Sequence, residues 1–159
     1  MGFFSILGSL FKPQTFKTGE KFENYVRKKL FTDRYYKQIQ RTYGYNVKTN
    51  HFVQSADPDF KLYDRRRSKI FFAEIKYRKQ FFKGKVNWCT ENQLNHYRHC
   101  NYQAPVFIVL GVGGDPWKPE SVFLIPLKLI SYTELYLSEI KRYAVHPRRA
   151  IASRILWRR

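Results

Sequence analysis

The stretch Asp57-Pro58-Asp59-Phe60-Lys61-Leu62-Tyr63-Asp64-Arg65-Arg66-Arg67-Ser68-Lys69-Ile70-Phe71-Phe72-Ala73-Glu74-Ile75-Lys76-Tyr77 reads as a β-hairpin. Phe60-Lys61-Leu62-Tyr63 alternates apolar and polar residues, the pattern of a half-buried strand. Ile70 to Tyr77 is rich in aromatic and β-branched residues and bounded by polar clusters, as a second strand would be. Asp64 to Ser68 is polar enough for the turn, although it lacks the Gly that would fix a turn type. A loop of Arg65 to Ser68 pairs Asp64 with Lys69, and counting back without a bulge sets Asp59 opposite Glu74. Opposed side chains on one face have Cβ atoms about 4.5–5.5 Å apart, where two carboxylates repel. A divalent cation between them would make the pair favourable. Lys76 follows Glu74 by two and projects from the same face, while Ala73, Ile75 and Tyr77 point toward a core. The plainer alternative is a charged, solvated face with an exposed ion pair.

The chain has 159 residues, 43% hydrophobic and 18% aromatic, which predicts one folded domain with a real core and excludes intrinsic disorder. Its 30 Lys and Arg against 12 Asp and Glu give a formal charge of +18. So basic a balance, interleaved with aromatics, points to a polyanion, with nucleic acid the usual one. Solubility and attraction to an anionic membrane are the alternatives. Two cysteines offer no disulfide framework and suggest a reducing, cytoplasmic (intracellular) setting. Cys89, His96, His99 and Cys100 crowd one segment, but their order matches no zinc spacing, and adjacent His99 and Cys100 would lie on different sides of a helix. No apolar run reaches the roughly 20 residues of a membrane span, so no stable membrane insertion is expected. Gly2 to Phe11 is apolar but short, without a basic leader, and Ile6 stands where a myristoylation signal needs Ser or Thr. It reads as an arm packing on the domain or on a second subunit.

After Lys12-Pro13-Gln14, a helix is expected from Thr18 as N-cap, with Glu20 in its first turn and Phe22, Tyr25, Val26 and Leu30 forming a buried stripe. Glu23 falls about 20° from Leu30 in projection, at the edge of that stripe. It can look inward, or pair with Arg27 on the surface. Phe31 to Lys48 is basic and tyrosine-rich, suited to phosphate contact and base stacking, or to a solvated basic face. Within it, Tyr45-Asn46-Val47 reads as a short strand. Lys79 to Val86 is a basic loop able to overhang the hairpin.

Thr90-Glu91-Asn92-Gln93 has the form of a capping box opening a second helix, with Gln93, Tyr97 and Cys100 on one face. The cap alone is enough to explain Gln93. Pro105 to Leu110 reads as a central strand buried on both faces, ended by a turn at Gly111 to Pro116. Ser121 to Pro126 is a further strand, and Leu127 to Arg142 is expected to be helical. The basic segment from His146 onward reads as a short helix on a phosphate backbone or as a flexible arm.

The order of helix with inward Glu, strand, hairpin with Asp and Glu-x-Lys, helix, strand, strand resembles the PD-(D/E)XK nuclease superfamily, the restriction-endonuclease-like fold. The residues that carry the resemblance are Pro58-Asp59, Glu74-Ile75-Lys76, Gly19-Glu20-Lys21-Phe22-Glu23 and Gln93-Leu94. Gly19-x-x-x-Glu23 is similar to the first-helix motif of archaeal-type Holliday-junction resolvases, and the resemblance spans roughly Thr18 to Pro126. Thr18 stands where a basic residue is often seen, and Asp57 offers a second carboxylate beside Asp59. The resemblance implies an α/β architecture, a mixed central β-sheet flanked by α-helices. It divides the chain into an arm (1–12), a single nuclease-like domain (13–145) and a basic tail (146–159).

The implied activity is metal-dependent hydrolysis of DNA phosphodiester bonds, structure-selective toward branched or duplex DNA and carried out by a homodimer. A non-catalytic nucleic-acid-binding module on the same fold is the alternative. Asp59, Glu74, the Ile75 carbonyl and Glu23 would hold Mg²⁺ or Mn²⁺, a hard cation that prefers oxygen. Lys76 would orient or deprotonate the attacking water or neutralise the phosphate, and Gln93 would position the phosphate or Lys76. Arg34, Lys37, Arg41, Arg78, Lys79, Lys83, Lys85, Arg148 and Arg149 are the expected nucleic-acid contacts.

Overall fold

The computed structural model describes residues 14–42, 45–46, 51–52 and 57–158; the apolar arm lies outside them. Helix α1 (Gln14–Tyr25) begins before the expected Thr18 cap and runs into a π-helical turn, Val26–Leu30. There Phe31 N–H reaches back to the Val26 carbonyl at 2.8 Å. The wider turn leaves the consecutive Leu30 and Phe31 both fully buried.

The strands are β1 (Tyr36–Arg41), β2 (Tyr45–Asn46), β3 (His51–Phe52), β4 (Phe60–Asp64), β5 (Lys69–Arg78), β6 (Lys85–Asn87), β7 (Val106–Asp115), β8 (Lys118–Pro126), β9 (Glu134–Tyr136) and β10 (Ala144–Val145). Helix α2 (Glu91–Asn101) precedes β7, and two one-turn helices, α3 (Leu137–Ile140) and α4 (Ser153–Leu156), follow β9 and β10 respectively. Six strands form a mixed sheet in the order β1-β4-β5-β7-β8-β10. Among the described residues only β5 and β7 pair in parallel, joined by the crossover through α2.

The hairpin has the expected register, Asp64 against Lys69 and Phe60 against Ala73. Its turn is fixed without glycine: the Asp64 carboxylate accepts the Arg66 and Arg67 N–H groups, and Ser68 takes the left-handed conformation at φ 52°. One sheet face carries Phe71, Ala73, Ile75, Phe107 and Val109 against α1. The other carries Phe72, Val106, Ile108 and Leu110 against α2. Both faces are covered, so Glu74 is not on an open surface; it is 3% exposed.

Several expectations give way. Tyr36–Arg41 is an edge strand whose sequence hides its pattern, because a bulge between Gln38 and Gln40 leaves Ile39 unpaired and 47% exposed. Gly111 to Gly114 does not end β7 but continues it, and the turn falls after Asp115, which pairs with Lys118. At Gly111 an added Cβ would lie 2.4 Å from the Phe22 ring, so the missing side chain lets α1 seat on the sheet. Leu127 to Arg142 is no single helix: two short 3₁₀ turns, β9 and α3 share it, and β9 pairs with β6. The segment from 146 onward is not an arm. Ile151 and Leu156 are buried in the α1-side core, and Ile151 N–H donates to the Leu30 carbonyl at 2.9 Å. The buried Asp64 accepts from Ser153 Oγ and Trp157 Nε1, each at 2.7 Å, which ties the hairpin turn to this segment.

Candidate active site

β5 extends beyond the start of β4, and this overhang creates the site. With β4 pairing ending at Phe60, the Ile75 N–H lacks a strand partner there and is taken by Asp59 Oδ2 at 2.7 Å. The Asp59 N–H in turn donates to Glu74 Oε2 at 3.2 Å. The two carboxylates therefore meet through reciprocal side-chain-to-backbone bonds rather than as a simple cross-strand pair. Glu74 Oε1 accepts from the Tyr97 hydroxyl at 2.7 Å and faces Lys76 Nζ at 2.8 Å. Glu23 comes from the edge of the α1 stripe and pairs with Arg41 at 3.1 Å, whose guanidinium lies over Phe60. Arg27, the alternative partner of Glu23, instead bonds Asp33, Gln38 and the Phe31 carbonyl.

The electrostatics follow from this crowding. Burial, then the charges of Glu74 and Glu23, push the Asp59 carboxyl well above the usual range. Burial also raises Glu23, against the pull of Arg41. Burial works against the Lys76 ammonium, but the charge and hydrogen bond of Glu74, with Asp59 beyond, outweigh it and hold its pKa above that of an ordinary lysine. Burial and Glu74 raise the Tyr97 hydroxyl, which stays a donor. Three carboxylates facing one cavity beside a backbone carbonyl are an all-oxygen donor set fitted to a hard divalent cation. Glu23, Asp59, Glu74, Ile75 and Lys76 all line one open cavity of about 730 Å³. Its rim holds Lys21, Arg78, Lys79 and Trp117, with Lys21 Nζ 5.2 Å from the centre of the Trp117 ring.

Other expected residues lie elsewhere. The Gln93 side chain closes the capping box, accepting from Thr90 N–H at 3.0 Å, and does not line the cavity. Tyr97, one turn further along the same face of α2, is the residue that reaches Glu74. Its position on the Gln93 face was the available signal. Asp57 faces His96 rather than the cavity. Among the expected nucleic-acid contacts, Arg34, Lys37, Lys79, Lys83, Arg148 and Arg149 are exposed. Arg41 is held by Glu23, Lys85 by Glu134, and Arg78 by the Tyr77, Asn87 and Trp88 carbonyls. Trp117, exposed at the β7–β8 turn, was not foreseen.

No protein-family profile matches the chain, and no curated protein matches it by sequence. Among solved structures it is similar to the 1.6 Å structure of Archaeoglobus fulgidus Hjc, a Holliday junction resolvase from an archaeal hyperthermophile. The TM-score is 0.55 over 80% of this chain and 90% of that one, at 14% identity. The likeness is one of fold, and with the six-stranded mixed sheet between helices it establishes that this chain has a restriction-endonuclease-like architecture.

Proposed function

We propose that this protein is a metal-dependent endonuclease that hydrolyses DNA phosphodiester bonds, acting on branched or duplex DNA. The observation that carries the reading is the convergence of Glu23 from α1, Asp59 from the segment before β4, and Glu74 and Lys76 from β5 on one open cavity rimmed by basic residues. Asp59 and Glu74, with the Ile75 carbonyl and Glu23, would hold Mg²⁺ or Mn²⁺, which when bound acidifies water and offsets charge on the phosphate. Tyr97 fixes the Glu74 carboxylate from behind by donating to Oε1. Because its pKa is raised, Lys76 keeps its proton. It is placed to donate a hydrogen bond that orients the attacking water and neutralises the phosphate oxygens. The exposed Lys79 at the rim, with Lys21 and Trp117, suits a phosphate backbone and an adjoining base. The homodimer that the resemblance implies belongs to this proposal, and sedimentation of the full chain tests it.

The experiment is cleavage of linear, branched and single-stranded DNA and of RNA with Mg²⁺ or Mn²⁺, beside Glu74→Ala and Lys76→Ala. Cleavage of at least one DNA substrate, lost in both variants with circular dichroism unchanged, is expected. Equal activity in the variants would refute the assignment. Binding of DNA with no cleavage by the wild type would make the protein a binding module instead.

A further inference from the structure

Outside the cavity just described, three donor atoms of different chemistry meet where the Asp57-Pro58-Asp59 segment passes helix α2. Asp57 Oδ1 lies 3.4 Å from His96 Nε2, and Cys100 Sγ joins them, all three within 4.8 Å of one another. His96 and Cys100 are four residues apart on α2, so one helical turn presents both in the same direction. The 3.4 Å separation is long for an N–H···O hydrogen bond, which favours about 2.7–3.2 Å. It is close to the edge of a tetrahedron with bonds of about 2.0–2.1 Å, which is roughly 3.3–3.4 Å. Cys100 is 4% exposed and in no disulfide, so it brings a free, buried thiol to this group.

We propose that Asp57, His96 and Cys100 form a second metal site, for Zn²⁺, separate from the hard-cation site at Asp59 and Glu74. A carboxylate, an imidazole and a thiolate suit a borderline-soft ion, whereas the three carboxylates of the cavity suit a hard one. Three protein ligands leave one tetrahedral position for water. Binding replaces the Cys100 thiol proton by the metal and releases that proton to solvent. One thiolate and one carboxylate balance the two charges of the ion. The site would clamp the strand entry that carries Asp59 to the helix that carries Tyr97, and so would brace the two carboxylates from outside. Sequence spacing alone conceals it, because Asp57 lies 39 residues before His96.

The test is titration of Co²⁺ into the full-length protein under reducing conditions, followed by absorption. A thiolate-to-cobalt charge-transfer band saturating at one equivalent is expected, with its loss on adding Zn²⁺. Cys100→Ser should remove the band. His96→Ala should weaken Co²⁺ affinity at least tenfold, as expected when a site loses a ligand. Cys89→Ser and Asp59→Asn should keep the band, since neither supplies a donor here. If Cys100→Ser does not fold, His96→Ala serves with Zn²⁺ in competition against a chelating dye. Absence of the band in the wild type, its survival in Cys100→Ser, or undiminished Zn²⁺ affinity in His96→Ala would overturn the proposal. None of these readouts requires cleavage, so the outcome is independent of the nuclease reading.

Discussion

Gly111 offers a direct test of how the fold seats the site. A Cβ added there would stand 2.4, 2.6 and 3.0 Å from Phe22 Cζ, Cε2 and Cε1, whereas carbon atoms sit comfortably at about 3.5–4.0 Å. The ring must retreat by about 1 Å. It has little room: Phe22 is fully buried, with Tyr77 at 5.7 Å and Tyr25 stacked at 6.4 Å between ring centres. Overpacking of this kind costs about 1–3 kcal/mol, and the roughly 0.5–1 kcal/mol gained by replacing a strand glycine with Ala does not offset it. Taking mid-range values, a net cost of about 1 kcal/mol, Gly111→Ala should lower the melting temperature by roughly 2–4 °C for a chain of this size. Since Phe22 adjoins Glu23, the shift in α1 should also slow metal-dependent cleavage more than the loss of folded protein explains. Phe22→Leu removes the clashing ring atoms, so the double variant should recover about 1 kcal/mol relative to additivity. The measurement is urea unfolding of all four proteins. Wild-type stability in Gly111→Ala, or strict additivity in the cycle, would show that α1 does not bear on Gly111 as described.

Asp64→Ala leaves the Ser153 hydroxyl and Trp157 N–H without their acceptor and should cost about 3 kcal/mol or more, measured by urea unfolding. Burial works against the Asp64 charge, but the hydrogen bonds from Ser153, Trp157, Arg67 and Arg66 outweigh it and hold its carboxyl below the usual range. Its contribution is therefore fully present above the unfolded pKa of about 3.9 and fades as pH falls through the lower folded value. The stability gap between wild type and Asp64→Asn should narrow below about pH 4; a gap independent of pH would count against the linkage. Tyr97→Phe should keep the fold, cost about 1 kcal/mol and raise the Mg²⁺ or Mn²⁺ requirement for cleavage roughly tenfold, read from metal titrations. Gln93→Ala should cost up to about 1 kcal/mol through the cap and leave cleavage at the wild-type rate, so a kinetic defect without loss of stability would return Gln93 to the active site.

The hairpin was legible because three local signals agreed: alternation in Phe60 to Tyr63, the aromatic run to Tyr77, and a polar turn of the right length. The capping box at Thr90 was legible for the same reason, since its bonds span only three residues. What escaped depends on distant partners. Tyr36 to Arg41 buries only Tyr36 fully and carries a bulge, so neither period survives in its sequence. The glycines of β7 signal a turn locally, but Gly111 is required by Phe22, 89 positions earlier. The segment after residue 146 is basic enough to pass for a solvated arm, yet Ile151 and Leu156 fill a core that only the assembled sheet defines. In the site, the acids were readable from strand register and helix phase. The Tyr97 bond to Glu74 was not, because it depends on how closely α2 approaches the sheet.

The Asp64 carboxylate also bears on the order in which the molecule can be completed. Two of the groups that satisfy it come 89 and 93 positions later in the chain. Ile151 closes on Leu30 and Tyr36 across a still longer stretch. Loop closure over such distances is slow, and its entropy must be met before the contacts are made. During synthesis the layer that carries Glu23 and the hairpin therefore waits, with the Asp64 carboxylate held only by its own turn, until residues 151–157 arrive. A chain halted before Ser153 could form its strands but could not lock them, so the carboxylate-lined cavity would be among the last features to set.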